Sequence, residues 1–187
     1  HNAYTTGDGI TEGIRIMEYE SQRTGDWESH YKFNEDDENE IQLTDGQDAA
    51  VVQPGYLVNK PWFVYNTETG LYERFQNGAE QIDANDNSQV AVKNILLQVC
   101  DWSVADEEAG YLSVDTTGGG SGYYITNGKA IPVTWSKDSQ TAPTKYFDAG
   151  GSEITMNQGK TWVCIIQDTY EDKVTFYASE EEFNAAQ

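Results

Sequence analysis

The side chains with the widest chemical range open the chain, in His1-Asn2-Ala3-Tyr4. An imidazole beside an amide and a phenol can move protons near neutral pH, so His1, Asn2 and Tyr4 are the candidate catalytic residues. The plainer alternative is that His1 anchors a loop by ordinary hydrogen bonds. The second histidine, His30, lies between acidic and aromatic residues and reads as structural. Asp83-x-Asn85-x-Asn87 sets oxygens at alternate positions, as a calcium loop does at its start. An EF-hand loop would continue with Gly at its sixth place and Glu at its twelfth, where this chain has Ser88 and Asn94. A polar turn with Asx caps accounts for Asp83, Asn85 and Asn87 more simply. The acidic run Glu35-Asp36-Asp37-Glu38 reads as a solvated face rather than a calcium site. No metal or cofactor is expected.

Gly118 to Gly122 has the flexibility of a phosphate loop, but such a loop needs a helix start with Lys-Ser/Thr. A Tyr-Tyr-Ile strand follows instead, so the glycines are expected to form a flexible hinge or bulge. No G-x-S-x-G elbow and no His-x-x-x-His pair occurs, which leaves nucleophilic and zinc hydrolases without a motif. Aromatic residues recur along the strand-like segments. Flat rings stack on sugar faces, so Tyr123, Tyr124, Trp135 and Trp162 are candidate glycan-binding residues. Cross-strand packing is the competing use of the same rings.

The elements that would carry these groups follow from periodicity. Apolar residues at Ile10, Ile14 and Met17 mark one face of a helix over Thr5–Tyr19, with Thr5 or Thr6 as its cap. Three glycines weaken that helix, so it needs tertiary support. Residues Glu35–Asp48 read as an exposed acidic loop. From there the period is two. Strands are expected over Ala50–Val58, Trp62–Asn66, Leu71–Gln76 and Ala79–Ile82, with Asn77-Gly78 as a hairpin turn. Val90–Val104 is the longest apolar run and reads as a long or bent central strand. Tyr111–Asp115, Tyr123–Thr126, Lys129–Ser136, Lys145–Asp148, Glu153–Met156 and Thr161–Gln167 continue the rhythm as a meander, and Ser179–Gln187 ends it as a frayed helix. The expected fold is α+β, dominated by antiparallel sheet. Its parts are residues 1–48, a helix plus acidic loop; 49–167, the β domain; and 168–187, a tail.

Composition limits the partners. The 187 residues carry 11 Lys+Arg against 32 Asp+Glu, a formal charge of −21. Binding along a nucleic-acid backbone needs clustered cations, and none is present. No apolar run is long enough to span a bilayer as a helix. The acidic, lysine-poor, Asn-, Thr-, Gly- and Tyr-rich balance points to an exported surface protein. Two cysteines are too few for a disulfide-stapled fold, and Cys100 and Cys164 both sit in apolar strand patterns.

The segment FVYNTETGLYERFQNGAEQIDANDNSQVAVKNILLQV resembles the YerB-like lipoproteins, a bacterial family of unknown function. The shared order is a YD-like strand, a turn, a Y-x-R strand, an NG hairpin, an Asp and an A-x-N-V strand. The later segment GGGSGYYITNGKAIPVTWSKDSQTAPTKYFDAGGSEITMNQGKTWVCII is similar to the family's carboxy-terminal domain. There the matches are G-x-G, NGK, x-x-T-W, D-x-G and N-x-G-K-T-W. The opening HNAYTT is similar to a His-Asn-x-Tyr-Thr motif near the end of the family's amino-terminal domain. Asn66 stands where the family has the Asp of its YD pair. The resemblance implies a cell-envelope binding or scaffolding module, with an upstream half of the same precursor as its partner. It also implies that His1, Asn2 and Tyr4 face that half, the alternative being an envelope enzyme whose site lies mainly there. A lipid anchor ahead of His1, and cell-wall or glycan material as ligand, belong to the same expectation. Because the family has ordinary apolar residues at the two cysteine positions, two reduced thiols are expected over a bridge.

Overall fold

A computed structural model describes residues 5–22, 25, 28–36 and 38–187. In chain order the elements are α1 (Gly7–Ile16), β1 (Gln47–Asp48), β2 (Val51–Gln53), β3 (Trp62–Asn66), β4 (Leu71–Gln76), β5 (Ala79–Glu80), β6 (Ala91–Val92) and β7 (Asn94–Cys100). They continue with β8 (Trp102–Asp106), β9 (Tyr111–Val114), β10 (Gly118–Thr126), β11 (Lys129–Lys137), β12 (Lys145–Phe147), β13 (Thr161–Gln167), a 3-10 helix (Asp168–Lys173), β14 (Thr175–Tyr177) and α2 (Glu180–Ala185). The fold is α+β and mostly antiparallel. One sheet runs β1-β11-β10-β7-β13, with β12 on β11; the other runs β14-β2-β3-β4-β5, with β6 on β4. Strands β8 and β9 form a separate hairpin.

The sheets stack because their strands alternate. Val52, Phe63 and Tyr72 of the second sheet meet Ile95, Leu97 and Ile125 of the first in one buried layer. The opposite face of β7 and β10 buries Leu96, Cys100 and Tyr124 under Trp135, Tyr146 and Met156. Every residue of β7 is therefore buried, which explains the unbroken apolar run NILLQVC. Each fully buried Ile or Leu there contributes about 2 kcal/mol. Cys164 belongs to the layer between the sheets and Cys100 to the outer one, so the two thiols are free and face opposite sides.

Several expectations change. The run Val90–Val104 is three strands, broken at Lys93 and Asp101, each in a different sheet. Thr161–Gln167 closes no meander; β13 lies parallel to β7. Gly118–Gly122 is neither hinge nor bulge but the first half of β10, paired residue by residue with β11. A Cβ on Gly120 would stand 2.6 Å from the Val99 carbonyl and 2.8 Å from Trp135 Nε1. Glycine there serves close approach, not motion. Glu153–Met156 makes only single bridges, to Phe147 and Phe33. Residues 168–187, expected as a tail, supply edge strand β14 on β2, and α2 buries Phe183 against Val51 and Val64.

Residues 28–36 and 38–43 cover the outer layer. Tyr31 and Leu43 pack on it, and Met156 exchanges backbone hydrogen bonds with Lys32 and Asn34. His30 is structural, as read: its Nδ1 accepts the Thr144 N–H at 2.9 Å. Helix α1 starts at Thr6, whose hydroxyl accepts the Gly9 N–H. It buries none of its residues, and Ile10 and Met17 are 55% and 58% exposed.

Candidate functional site

The aromatic residues singled out from the sequence do not form one surface. Tyr124 and Trp135 are fully enclosed. The Tyr124 hydroxyl donates to Asn94 Oδ1, and Trp135 Nε1 donates to the Val99 carbonyl. Burial pushes the Tyr124 phenol up to about 12. Their rings are core, so they are unavailable to a sugar. Tyr123 is half-buried edge-on to Phe176, and the Trp162 ring lies under the Arg74 guanidinium at 4.4 Å. Asp83, Asn85 and Asn87 form a turn in which Asp83 Oδ1 accepts both the backbone and side-chain N–H of Asn85. Among the described residues, no group of three His, Cys, Asp or Glu converges on a point. His1, Asn2 and Tyr4 lie outside the described residues.

A groove of about 560 Å³ opens instead on the outer face of the second sheet. Its floor is Trp62, stacked at 5.0 Å on Phe75 and packed against Phe183 of α2. Asn59, Asn77 and Asn184 bring amides to the rim, and Leu57 adds an apolar lip. Lys60 is the single charged side chain among the lining residues. No Asp or Glu side chain is among the described residues that line the groove, although the chain has 32.

Local conformation sets this rim. Asn59 and Lys60 both adopt left-handed backbone, at φ 61° and 34°. For a residue with a Cβ each such turn costs about 1–2 kcal/mol. The Asn59 carbonyl accepts the Asn77 N–H at 2.8 Å, which ties the loop to the β4–β5 turn. Asn77 and Gly78 hold positive φ there, as the Asn-Gly signal requires. Tyr56 pins the other end by donating to the Ile165 carbonyl at 2.8 Å. Between these pins Leu57 and Val58 remain 54% and 76% exposed.

A second polar centre lies at the other end of the sheets. Lys93, in the break between β6 and β7, points its amine into a pocket where its side chain is 8% exposed. Its Nζ sits 2.7 Å from each Glu40 carboxylate oxygen, 2.7 Å from Asn127 Oδ1 and 3.3 Å from the Gly70 carbonyl. Asn127 Nδ2 donates to Glu40 Oε2 at 3.0 Å. Lys93 holds the Glu40 carboxyl below its usual range. Beside them, buried Asn157 clamps both backbone groups of Ile41 and bonds Thr126. Neither centre was anticipated as a site. The one signal was a lone lysine inside the longest apolar run, whereas the groove joins segments more than a hundred residues apart.

Motif residues thus account for much of this architecture: Arg74 of Y-x-R covers Trp162 of N-x-G-K-T-W, and Asn157 starts that same motif. The family model described as "Protein of unknown function (DUF3048) C-terminal domain" matches residues 50–163. The chain belongs to the DUF3048 family. The matched span begins just ahead of β2 and ends inside β13, so it takes in most of both sheets. The crystal structure of the YerB protein from Bacillus subtilis superposes with a TM-score of 0.73 at 20% identity, over 95% of this chain and 56% of that one. At that identity the likeness is one of fold, and this chain spans a little over half of YerB's length. No curated protein matches. Among the described residues no helix is long and apolar enough to cross a membrane.

Proposed function

We propose that this DUF3048 chain is a binding module of the cell envelope that holds a neutral glycan strand in the Trp62 groove. The observation that carries the reading is the groove's chemistry: aromatic and apolar walls, several amides, and no Asp or Glu side chain among its described lining residues, in a chain of charge −21. Sugar C–H faces pack on rings, while amides pair with hydroxyl and acetamido groups. The acidic, lysine-poor composition supports a place at the cell surface, with a lipid anchor ahead of the residues given. The open apolar stripe of α1 supports a second partner, the other part of a longer precursor, since an unsupported helix of this length is marginal.

The test is retention on insoluble peptidoglycan. The wild-type chain is expected in the pellet. Asn184→Asp, which places a carboxylate in the groove on an exposed helix position, is expected to bind about tenfold more weakly, one hydrogen bond's worth. Wild-type chain remaining in the supernatant, or equal retention of Asn184→Asp, overturns the proposal.

A further inference from the structure

The amine, amide and carboxylate around Lys93 are placed for a covalent reaction that the groove does not involve. We propose that Lys93 and Asn127 join spontaneously through an isopeptide bond, with Glu40 as the proton carrier. The proposal is independent of the glycan reading.

Three requirements of such a bond are met. The first is contact between nucleophile and electrophile. Lys93 Nζ lies 2.7 Å from Asn127 Oδ1, the oxygen carried by the amide carbon to be attacked. Held in one fold, the two groups react as a single molecule, which removes the entropic cost of encounter. The second is a base that reaches both the amine and the departing nitrogen. Glu40 Oε2 accepts from Lys93 Nζ at 2.7 Å and from Asn127 Nδ2 at 3.0 Å, so one carboxylate touches both ends of the proton transfer. The third is a donor for the carbonyl oxygen as it gains charge. The Tyr65 hydroxyl donates to Asn127 Oδ1 at 3.4 Å. Burial raises the Tyr65 pKa, so the phenol keeps the proton it donates.

The surroundings shield the nucleophilic amine from water. Lys93 is 6% exposed, the Gly70 carbonyl closes one side, and a Cβ on Gly159 would stand 2.7 Å from Lys93 Cβ. Lys93 holds the Glu40 carboxyl below its usual range, so the ammonium–carboxylate pair is the resting state. The amine's lone pair is freed when a proton passes transiently to Glu40 along their 2.7 Å contact. The step balances without a co-reactant. Glu40 takes a proton from the Lys93 ammonium, and Nζ forms the new C–N bond to Asn127 Cγ. The tetrahedral carbon then expels Nδ2, which takes up two protons through Glu40, the one Glu40 holds and one released from Nζ, and leaves as ammonium. Lysine ammonium plus carboxamide becomes a secondary amide plus ammonium, a net loss of NH3 from the chain, and the Glu40 carboxylate is regenerated. The product ties the start of β7 to the β10–β11 turn beneath the 38–43 segment.

The experiment is mass spectrometry on the purified 187-residue chain. Denatured wild-type protein is expected to weigh less than its sequence by one ammonia. Its protease digest is expected to contain a branched peptide joining Lys93 to Asn127. Glu40→Gln and Lys93→Arg chains, shown folded by their thermal melts, are expected at full sequence mass with linear peptides only. A cyclic imide at Asn127-Gly128 also loses ammonia, but it stays within one linear peptide and survives Lys93→Arg. Full mass for the wild type, or a deficit confined to that linear peptide, overturns the proposal. A branched peptide that persists in Glu40→Gln overturns the role of Glu40.

Discussion

Asn157 shows how one buried amide decides where a segment lies. Its Oδ1 accepts the Ile41 N–H at 2.8 Å and its Nδ2 donates to the Ile41 carbonyl at 2.9 Å, copying the pairing of a neighbouring strand. Its own backbone N–H donates to the Tyr124 hydroxyl, which in turn donates to Asn94. Asn157→Ala removes the clamp and strands both groups of Ile41 at a partly buried position. The expected cost is about 2–3 kcal/mol, from polar groups left without partners. Amide exchange should rise across residues 39–43 while β7 keeps its protection. Unchanged exchange at Ile41 would show that Leu43 and Tyr31 hold the segment by packing alone.

At the scale of elements, stability follows enclosure. Strand β7 is buried on both faces and paired on both edges, by β10 and β13. The β8–β9 hairpin has neither advantage: Val104 and Leu112 face each other across it at 48% and 50% exposure. A lone two-stranded hairpin is marginal in water. Helix α1 is as exposed and has ten residues. Hydrogen exchange of the isolated chain is therefore expected to be slowest in residues 94–100 and 161–167, and orders of magnitude faster in 7–16 and 102–114. Strong protection of α1 in a monomer would mean that it needs no partner. The break at Lys93 belongs to this scale too. Both Lys93 and Asn94 donate backbone N–H groups to the Lys160 carbonyl, and the chain passes there from one sheet to the other.

The molecule as a whole buries phenols in both of its layers. Tyr72 sits between the sheets and Tyr124 and Tyr146 outside them, and burial raises all three pKa values. For Tyr124 the folded value is about 12 against an ordinary 10.0. An acid whose folded value is raised binds its proton more tightly when folded. Its stabilisation is complete below pH 10, declines as pH rises, and is lost once pH passes the folded value. Alkali is therefore expected to unfold the protein in one cooperative step between about pH 10 and 12, with phenolate absorbance rising as circular dichroism falls. A gradual titration that leaves the dichroism intact would contradict the burial of these rings.

The class of fold, the two Asn-Gly turns, most strands of the β domain and the family were legible in the sequence, because each rests on local signals. Alternation reports a half-buried strand, and Asn-Gly reports a turn that needs positive φ at two residues. The helix expected over Thr5–Tyr19 spans Gly7–Ile16 in the structure, and none of its residues is buried. Local signals do not say what lies beside a strand. Val90–Val104 looked continuous because apolar runs mark burial without saying in which sheet. The Gly118–Gly122 segment looked mobile because nothing near it in the chain announces Trp135 and Val99 closing on it. Tyr124 and Trp135 looked available for stacking because a ring's type is the same in a core and on a surface. The Trp62 groove draws on residues 57–60, 77 and 184, and the reactive pocket on residues 40, 93 and 127. Distance along the chain carries no information about such meetings; the packing of two sheets and the segment laid over them decided both.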